Sequence, residues 1–379
     1  GPIMFSGKAI MFISELVLYA HMVLLLIATG GKLTMPKKLR IILIVMLAYF
    51  VFHLIYSALF LNIGNALLTS RRLVYYPFLA ITAGFTTASV VKSKAFVTKV
   101  LWFMMIASAM LFMLNLAVNF NMFQEFGFIS RATGVTLSAF LFGGLAELVR
   151  TGRLSKRKTV VSLVATLLVF FTSSRGVYLS MVLTVGLVLW QHRRLAGAVK
   201  VFKLVLGGIV VGTLVIVVAM NSPLVVKTLN KFSKDIANVA EGNMGSHGEN
   251  FNTLGARYYL YESAFKLGLE SPIFGNGSGY RVDSWHLGGS YGVNRSKTPH
   301  NYYLDIWYRL GIVGLLLFLV FYKRILDGIR DNQIQVYYML IAALTYTCFD
   351  VLLSSNTGGI LGIFLLVGAS MYSSTRSES

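Results

Sequence analysis

The chain has 379 residues; 56% are hydrophobic, only 13% are charged, and the formal net charge is +20. So little charge cannot cover a soluble protein, and the repeated apolar runs of about twenty residues have the length that crosses a hydrocarbon core. The runs are continuous rather than alternating, which argues against a β-barrel, and a single cysteine, Cys348, excludes an intramolecular disulfide and a Cys-based metal site.

The expectation is an all-α polytopic membrane protein with eleven transmembrane helices and one long loop outside the membrane that carries short helices. Gly1 and Pro2 read as a protease-cleavage remnant and stay out of the fold argument. No cleavable signal peptide is evident, because the first apolar run is long enough to remain as a span. The predicted spans are 9–29, 41–62, 73–91, 100–120, 132–149, 159–174, 176–191, 204–220, 302–322, 335–353 and 358–373. That divides the chain into N-terminal membrane helices over 1–220, a loop domain over 221–301 and C-terminal membrane helices over 302–379.

Most basic residues fall in alternate short loops, such as Lys37, Lys38 and Arg40, or Arg153, Lys156, Arg157 and Lys158. By the positive-inside rule those loops are cytoplasmic. This placement accounts for the positive charge without nucleic acid as a partner, and membrane lipids are the expected counterpart. The segment 221–301 then lies outside. Within it, 255–269 shows apolar positions at helical spacing, and Ser271 and Pro272 end the helix. Gly275, Gly277 and Gly279 make a glycine-rich loop with no strand before it and no helix after it. It reads as a turn that brings the backbone back toward the membrane rather than as a nucleotide site.

The polar residues beside the spans are the candidates for chemistry. His300 stands where the long polar segment meets the span at 302–322, followed by Asn301. Histidine is the side chain that ordinarily exchanges a proton near neutral pH; the bland alternative is a histidine that caps the next helix. Arg175 lies between two apolar runs with almost no loop. It either snorkels to headgroups or holds an anion in its planar fork. Arg257 has two readings as well, anion binding or a surface ion pair with Glu262. Arg71 and Arg72 run against the positive-inside trend and suggest an anionic contact or interface anchoring. Asp350, late in a span, could pair with an arginine or tie helices together. His21 and His53 lie within spans, where a lone histidine usually bonds helix to helix. His247, His286 and the scattered carboxylates lack metal-ligand spacing, so a metal-free site without a cofactor is expected.

His300–Asn301, then nine residues, Gly311, two residues and Gly314, resembles the histidine motif of the O-antigen ligase and O-antigen polymerase superfamily. The stretches around Arg257 and Ile273, the Ser174–Arg175–Gly176 turn and Phe349–Asp350–Val351 are similar to further motifs of that superfamily. The resemblance covers roughly 170–360. It implies a GT-C-like glycosyltransferase of the bacterial inner membrane, commonly with about twelve spans, so 11–12 here, whose long periplasmic loop and site face the periplasm. Such an enzyme takes a glycan from an undecaprenyl-diphosphate donor and needs no metal. In a ligase the acceptor is the lipid A–core; in a polymerase it is another lipid-linked repeat unit. His300 would then be the catalytic base, Arg175 and Arg257 would bind the diphosphate, and Asn301, Asp350, Arg71 and Arg72 would support them. The spacing leans to the ligase. The other readings are a transporter or flippase for a lipid-linked sugar and a non-catalytic assembly partner.

Overall fold

The computed structural model describes residues 2–5, 8–32, 37–61, 63–70, 73, 75–91, 96–118, 131–170, 175–192, 253–280, 299–330, 333–349 and 358–375, with isolated positions between 230 and 241. The expected span at 204–220 lies outside them. Twelve helices are described: α1 Ile13–Ala28, α2 Lys37–Phe60, α3 Ile63–Ser70, α4 Tyr76–Val91, α5 Phe96–Val118, α6 Arg131–Thr151, α7 Lys156–Phe170, α8 Arg175–Gln191, α9 Thr253–Glu270, α10 Tyr302–Ile329, α11 Ile334–Tyr346 and α12 Gly358–Thr375. The one departure from all-α among the described residues is an antiparallel pair, β1 Pro2–Phe5 and β2 Lys8–Phe12. Pairing uses up the backbone groups of residues 8–12, so the first helix starts at Ile13 and is shorter than the expected 9–29.

The chain divides into two compact units, one of 1–101, 260–284 and 294–379, the other of 102–259 and 285–293. In the first, α4 and α12 cross with their backbones in contact. A Cβ at Gly84 would strike the carbonyl of Leu365, and one at Gly368 would strike that of Ile81. Ala80, Gly84 and Ala88 repeat every fourth residue on α4, so a groove of small side chains admits the partner. His21 on α1 bonds Thr87 on α4 at 2.9 Å, a helix-to-helix bond of the expected kind. His53 on α2 differs. It is buried, neither ring nitrogen has a hydrogen-bond partner, and its edge meets the rings of Tyr49 and Phe52. In the second unit, α6 packs on α7 and α8. Ser162 donates to the carbonyl of Phe140 at 3.1 Å, Lys158 pairs with Glu147, and Val149 meets Leu189.

Two described helices, Leu39–Phe60 and Tyr302–Ile329, are long and apolar enough to cross a membrane; the other apolar helices are shorter. α2 exposes Ile41, Ile44, Leu47, Ile55 and Leu59. Apolar side chains spread along a helix in this way suit lipid rather than water. α10 is not one straight rod. Gly311 has φ 63° and ψ −167° in its interior. The hydroxyl of Tyr302 lies 3.3 Å from that of Tyr322, and its ring packs on Phe318. Twenty residues of straight helix would separate them by about 30 Å. The element is therefore two arms, 302–310 and 312–329, folded at Gly311. The expected single span at 302–322 is corrected accordingly, because a glycine with positive φ breaks it. The second arm, at about 1.5 Å per residue, still approaches the thickness of a hydrocarbon core.

Candidate functional site

The site begins with the break in α10 and the loop that fills it. Loop 271–280 follows α9 and lies against the bend. Ile312 N–H donates to Pro272 carbonyl at 2.8 Å and Val313 N–H to Ile273 carbonyl at 3.2 Å. In the other direction, Asn276 and Gly277 N–H donate to the carbonyls of Tyr308 and Arg309, each at 2.9 Å. The Asn276 amide also donates to Leu267 at 2.7 Å and Tyr308 at 3.0 Å. Groups that a continuous helix would have satisfied internally are thus satisfied by the loop, the condition for irregular backbone in an apolar setting. Two glycines are needed where the strands of backbone touch. Gly275 has φ 73°, and a Cβ there would strike Arg309, while a Cβ at Gly311 would strike Ile273. Tyr49 of α2 closes the junction by donating to Leu310 carbonyl at 2.6 Å.

Under the loop sits an ion pair that the sequence reading did not single out. Asp305 and Arg309 are each 3% exposed. Arg309 Nε donates to Asp305 Oδ1 at 3.0 Å, and Tyr308 Oη donates to the same oxygen at 3.1 Å. The guanidinium also donates to the carbonyls of Ser278, at 3.0 Å, and Tyr280. The i,i+4 spacing was the available signal for the pair. Nothing local pointed to the loop carbonyls that complete it.

His300 lies immediately before the first arm. It is half-buried and has φ 49°, unusual for a residue with a Cβ. It is not the helix cap. That role belongs to Asn301, whose side-chain oxygen accepts from the N–H groups of Tyr303 and Leu304, each at 3.0 Å. The Asn301 amide donates to Cys348 carbonyl at 3.0 Å, and Tyr302 N–H to Thr347 carbonyl at 2.9 Å. Tyr261 Oη on α9 donates to His300 carbonyl at 3.2 Å and reaches Cys348 carbonyl at 3.5 Å. Tyr261 of α9 therefore holds the His300 carbonyl directly, and the next two residues are tied to the turn after α11. Cys348 itself is half-buried in the turn 347–349, not inside a span, because α11 ends at Tyr346.

The remaining candidates are placed less closely. Arg257 is half-buried on α9, four residues before Tyr261 and so on the same stripe of that helix. Its suggested partner Glu262 is paired instead with Lys266, at 2.6 Å. Arg175 is the first residue of α8. His300 and Asn301 belong to the first unit, Arg175 and Arg257 to the second. Arg71, Arg72 and Asp350 lie outside the described residues, as do His247 and His286. Among the described residues no group of three or more His, Cys, Asp or Glu could hold a metal ion.

Residues 160–319 match the family described as O-antigen ligase. The match takes in Arg175, Arg257, His300, Asn301, Gly311 and Gly314, and ends before Asp350. An uncharacterized protein of Haemophilus influenzae is 30% identical over 174 residues, which are 42% of this chain and 41% of that protein.

Proposed function

We propose that the chain, whose residues 160–319 match the family described as O-antigen ligase, is a member of the O-antigen ligase and O-antigen polymerase superfamily and an inverting, metal-independent glycosyltransferase of the bacterial inner membrane. Its donor is a glycan on undecaprenyl diphosphate and its acceptor a sugar hydroxyl at the periplasmic face. The lipid A–core is the preferred acceptor. His300 takes the proton of that hydroxyl. The freed oxygen forms a bond to the anomeric carbon while the bond from that carbon to the diphosphate oxygen breaks, and the lipid diphosphate leaves with the electron pair. Arg175 and Arg257 hold its phosphates and stabilise the charge that grows on departure. Asn301 positions His300. Asp350, Arg71 and Arg72 are supporting residues in the same reading.

The observation that carries this reading is the clamp on the His300 backbone. Tyr261 holds its carbonyl, and Asn301 takes over the capping that would otherwise have explained a histidine at this position. Preorganisation of this kind is what a proton-transfer group needs. The test uses the full chain in vesicles with a purified lipid-linked glycan and lipid A–core. NMR of the product should show an inverted linkage, and retention at the anomeric carbon would refute the single displacement. The ligase is separated from the polymerase by the products that accumulate when the protein is lost. Polymer left on its lipid carrier indicates a ligase, and single repeats capped on the acceptor indicate a polymerase. The break in α10 favours one further reading, because transporters place discontinuous helices at their substrate sites. Translocation of a lipid-linked sugar with no glycosidic bond formed would decide for that class.

A further inference from the structure

We infer that the groove between the second arm of α10 and α11 is a binding site for an anionic phospholipid, separate from the residues assigned to transfer. The groove has a cavity of about 250 Å³ lined by Tyr303, Leu319, Tyr322, Lys323, Leu326, Asp327, Arg330, Tyr337 and Leu344. Its wall and its rim differ in chemistry. Leu319, Leu326 and Leu344 form an apolar wall. Leu319 is itself half exposed, beside exposed Leu316 and Val320, so the apolar surface continues out of the groove along the helix. Lys323, Asp327 and Arg330 stand at i, i+4 and i+7 and therefore on one stripe at the end of α10. Lys323 pairs with Asp327 at 2.6 Å in the open. Among the described residues two cations stand against one carboxylate, which leaves the rim positive, and Arg330 lines the same cavity.

A small chamber with charged side chains at its rim and a mostly apolar lining suits a phosphate ester that carries a long hydrocarbon chain. The phosphate meets Lys323 and Arg330, the glycerol fills the chamber between the tyrosines, and an acyl chain runs along Leu319 and Leu316. Basic pockets between membrane helices are occupied by anionic headgroups for this reason. The cavity lies below the range of pockets that bury drug-sized ligands, about 300–1,000 Å³, so an oligosaccharide does not fit it. A free anion would gain the cations but nothing from the leucines, which is why the proposal commits to a lipid.

The experiment is native mass spectrometry of the full chain released from a neutral detergent with equal amounts of dioleoylphosphatidylglycerol and dioleoylphosphatidylcholine. The expected result is preferential retention of phosphatidylglycerol. Lys323→Gln with Arg330→Gln should reduce that retention about thirtyfold, from the worth of two surface cations, and leave phosphatidylcholine retention unchanged. Asp327→Asn, which removes the carboxylate that the described residues place on the rim, should raise it. All three substituted side chains are at exposed positions, and an unchanged melting temperature confirms that the variants fold. Equal retention of the two lipids by the native chain overturns the proposal, as does full retention by the double variant. Displacement of phosphatidylglycerol by millimolar inorganic phosphate, or by undecaprenyl diphosphate alone, also overturns it and reassigns the groove to a soluble anion or to the donor. None of these readouts depends on glycan transfer, so failure here leaves the proposed activity standing.

Discussion

Asn301 does two jobs at once. Its oxygen caps the first arm of α10, and its amide ties that arm to the turn after α11. Asn301→Asp keeps the acceptor and loses the donor, whereas Asn301→Ala loses both. The expected order of thermal stability is native, then Asp, then Ala, with a lost cap alone costing about 1 kcal/mol. Equal melting temperatures for Asp and Ala would show that the cap contributes nothing. Gly311 is the stricter position, because its φ of 63° and the contact with Ile273 both exclude a Cβ. Gly311→Ala should destabilise the fold by more than the roughly 1 kcal/mol that separates Gly from Ala in helices. Gly186 is a fair control: it lies within α8 with nothing near its would-be Cβ, so Gly186→Ala should be neutral or stabilising. Both comparisons are read from melting curves in the same detergent. At the histidine, Tyr261→Phe removes one hydrogen bond to the His300 carbonyl. Turnover should fall severalfold with little change in KM, since the loss affects the aim of the imidazole and not donor binding.

At the scale of elements, the broken helix and the loop that fills it form one device, and the Asp305–Arg309 pair is its pin. Arg309 joins three segments: its own arm, the loop through Ser278 and Tyr280, and α3 through Thr69 at 3.4 Å. Removing one partner of a buried pair leaves an uncompensated charge and costs about 3–5 kcal/mol. Asp305→Asn and Arg309→Met should each destabilise strongly, and the double variant should cost less than their sum. Strict additivity in that double-mutant cycle would show that the pair is not coupled. Much of this device could be read from the chain. The helix at 255–269, its stop at Ser271 and Pro272 and the returning glycine loop all correspond to observed structure, because each depends on short-range periodicity and turn chemistry. What the loop returns to could not be read. The carbonyls that accept from the Asn276 and Gly277 N–H groups lie more than thirty residues further along, and a run as apolar as 302–322 carries no mark of a fold other than Gly311 itself. For the same reason Asn301 looked like a supporting residue and not like a cap, and Tyr49 left no trace at all. His53 misled in the opposite sense: a polar atom in an apolar helix normally finds a partner, and among the described residues these ring nitrogens have none, the ring standing against Tyr49 and Phe52.

For the whole molecule, the membrane character was legible in composition, since exposed leucines and isoleucines along α2 follow directly from a chain with so few charges. The sidedness of the protein is a separate matter, and its single cysteine reports on it without engineering. Cys348 is half-buried in the turn that holds Asn301 and Tyr261. A membrane-impermeant maleimide should label it from the periplasmic side of intact spheroplasts; labelling only after lysis would place this end of the molecule in the cytoplasm. Chemistry can be tested independently of orientation. In reconstituted vesicles, transfer of a radiolabelled glycan from undecaprenyl diphosphate to lipid A–core is measured for the native chain and for His300→Ala. The account predicts a fall in turnover of about a hundredfold or more, the usual worth of a positioned proton-transfer group, with donor binding and melting temperature unchanged. Transfer at the native rate by His300→Ala, in protein that binds donor and melts normally, would contradict it.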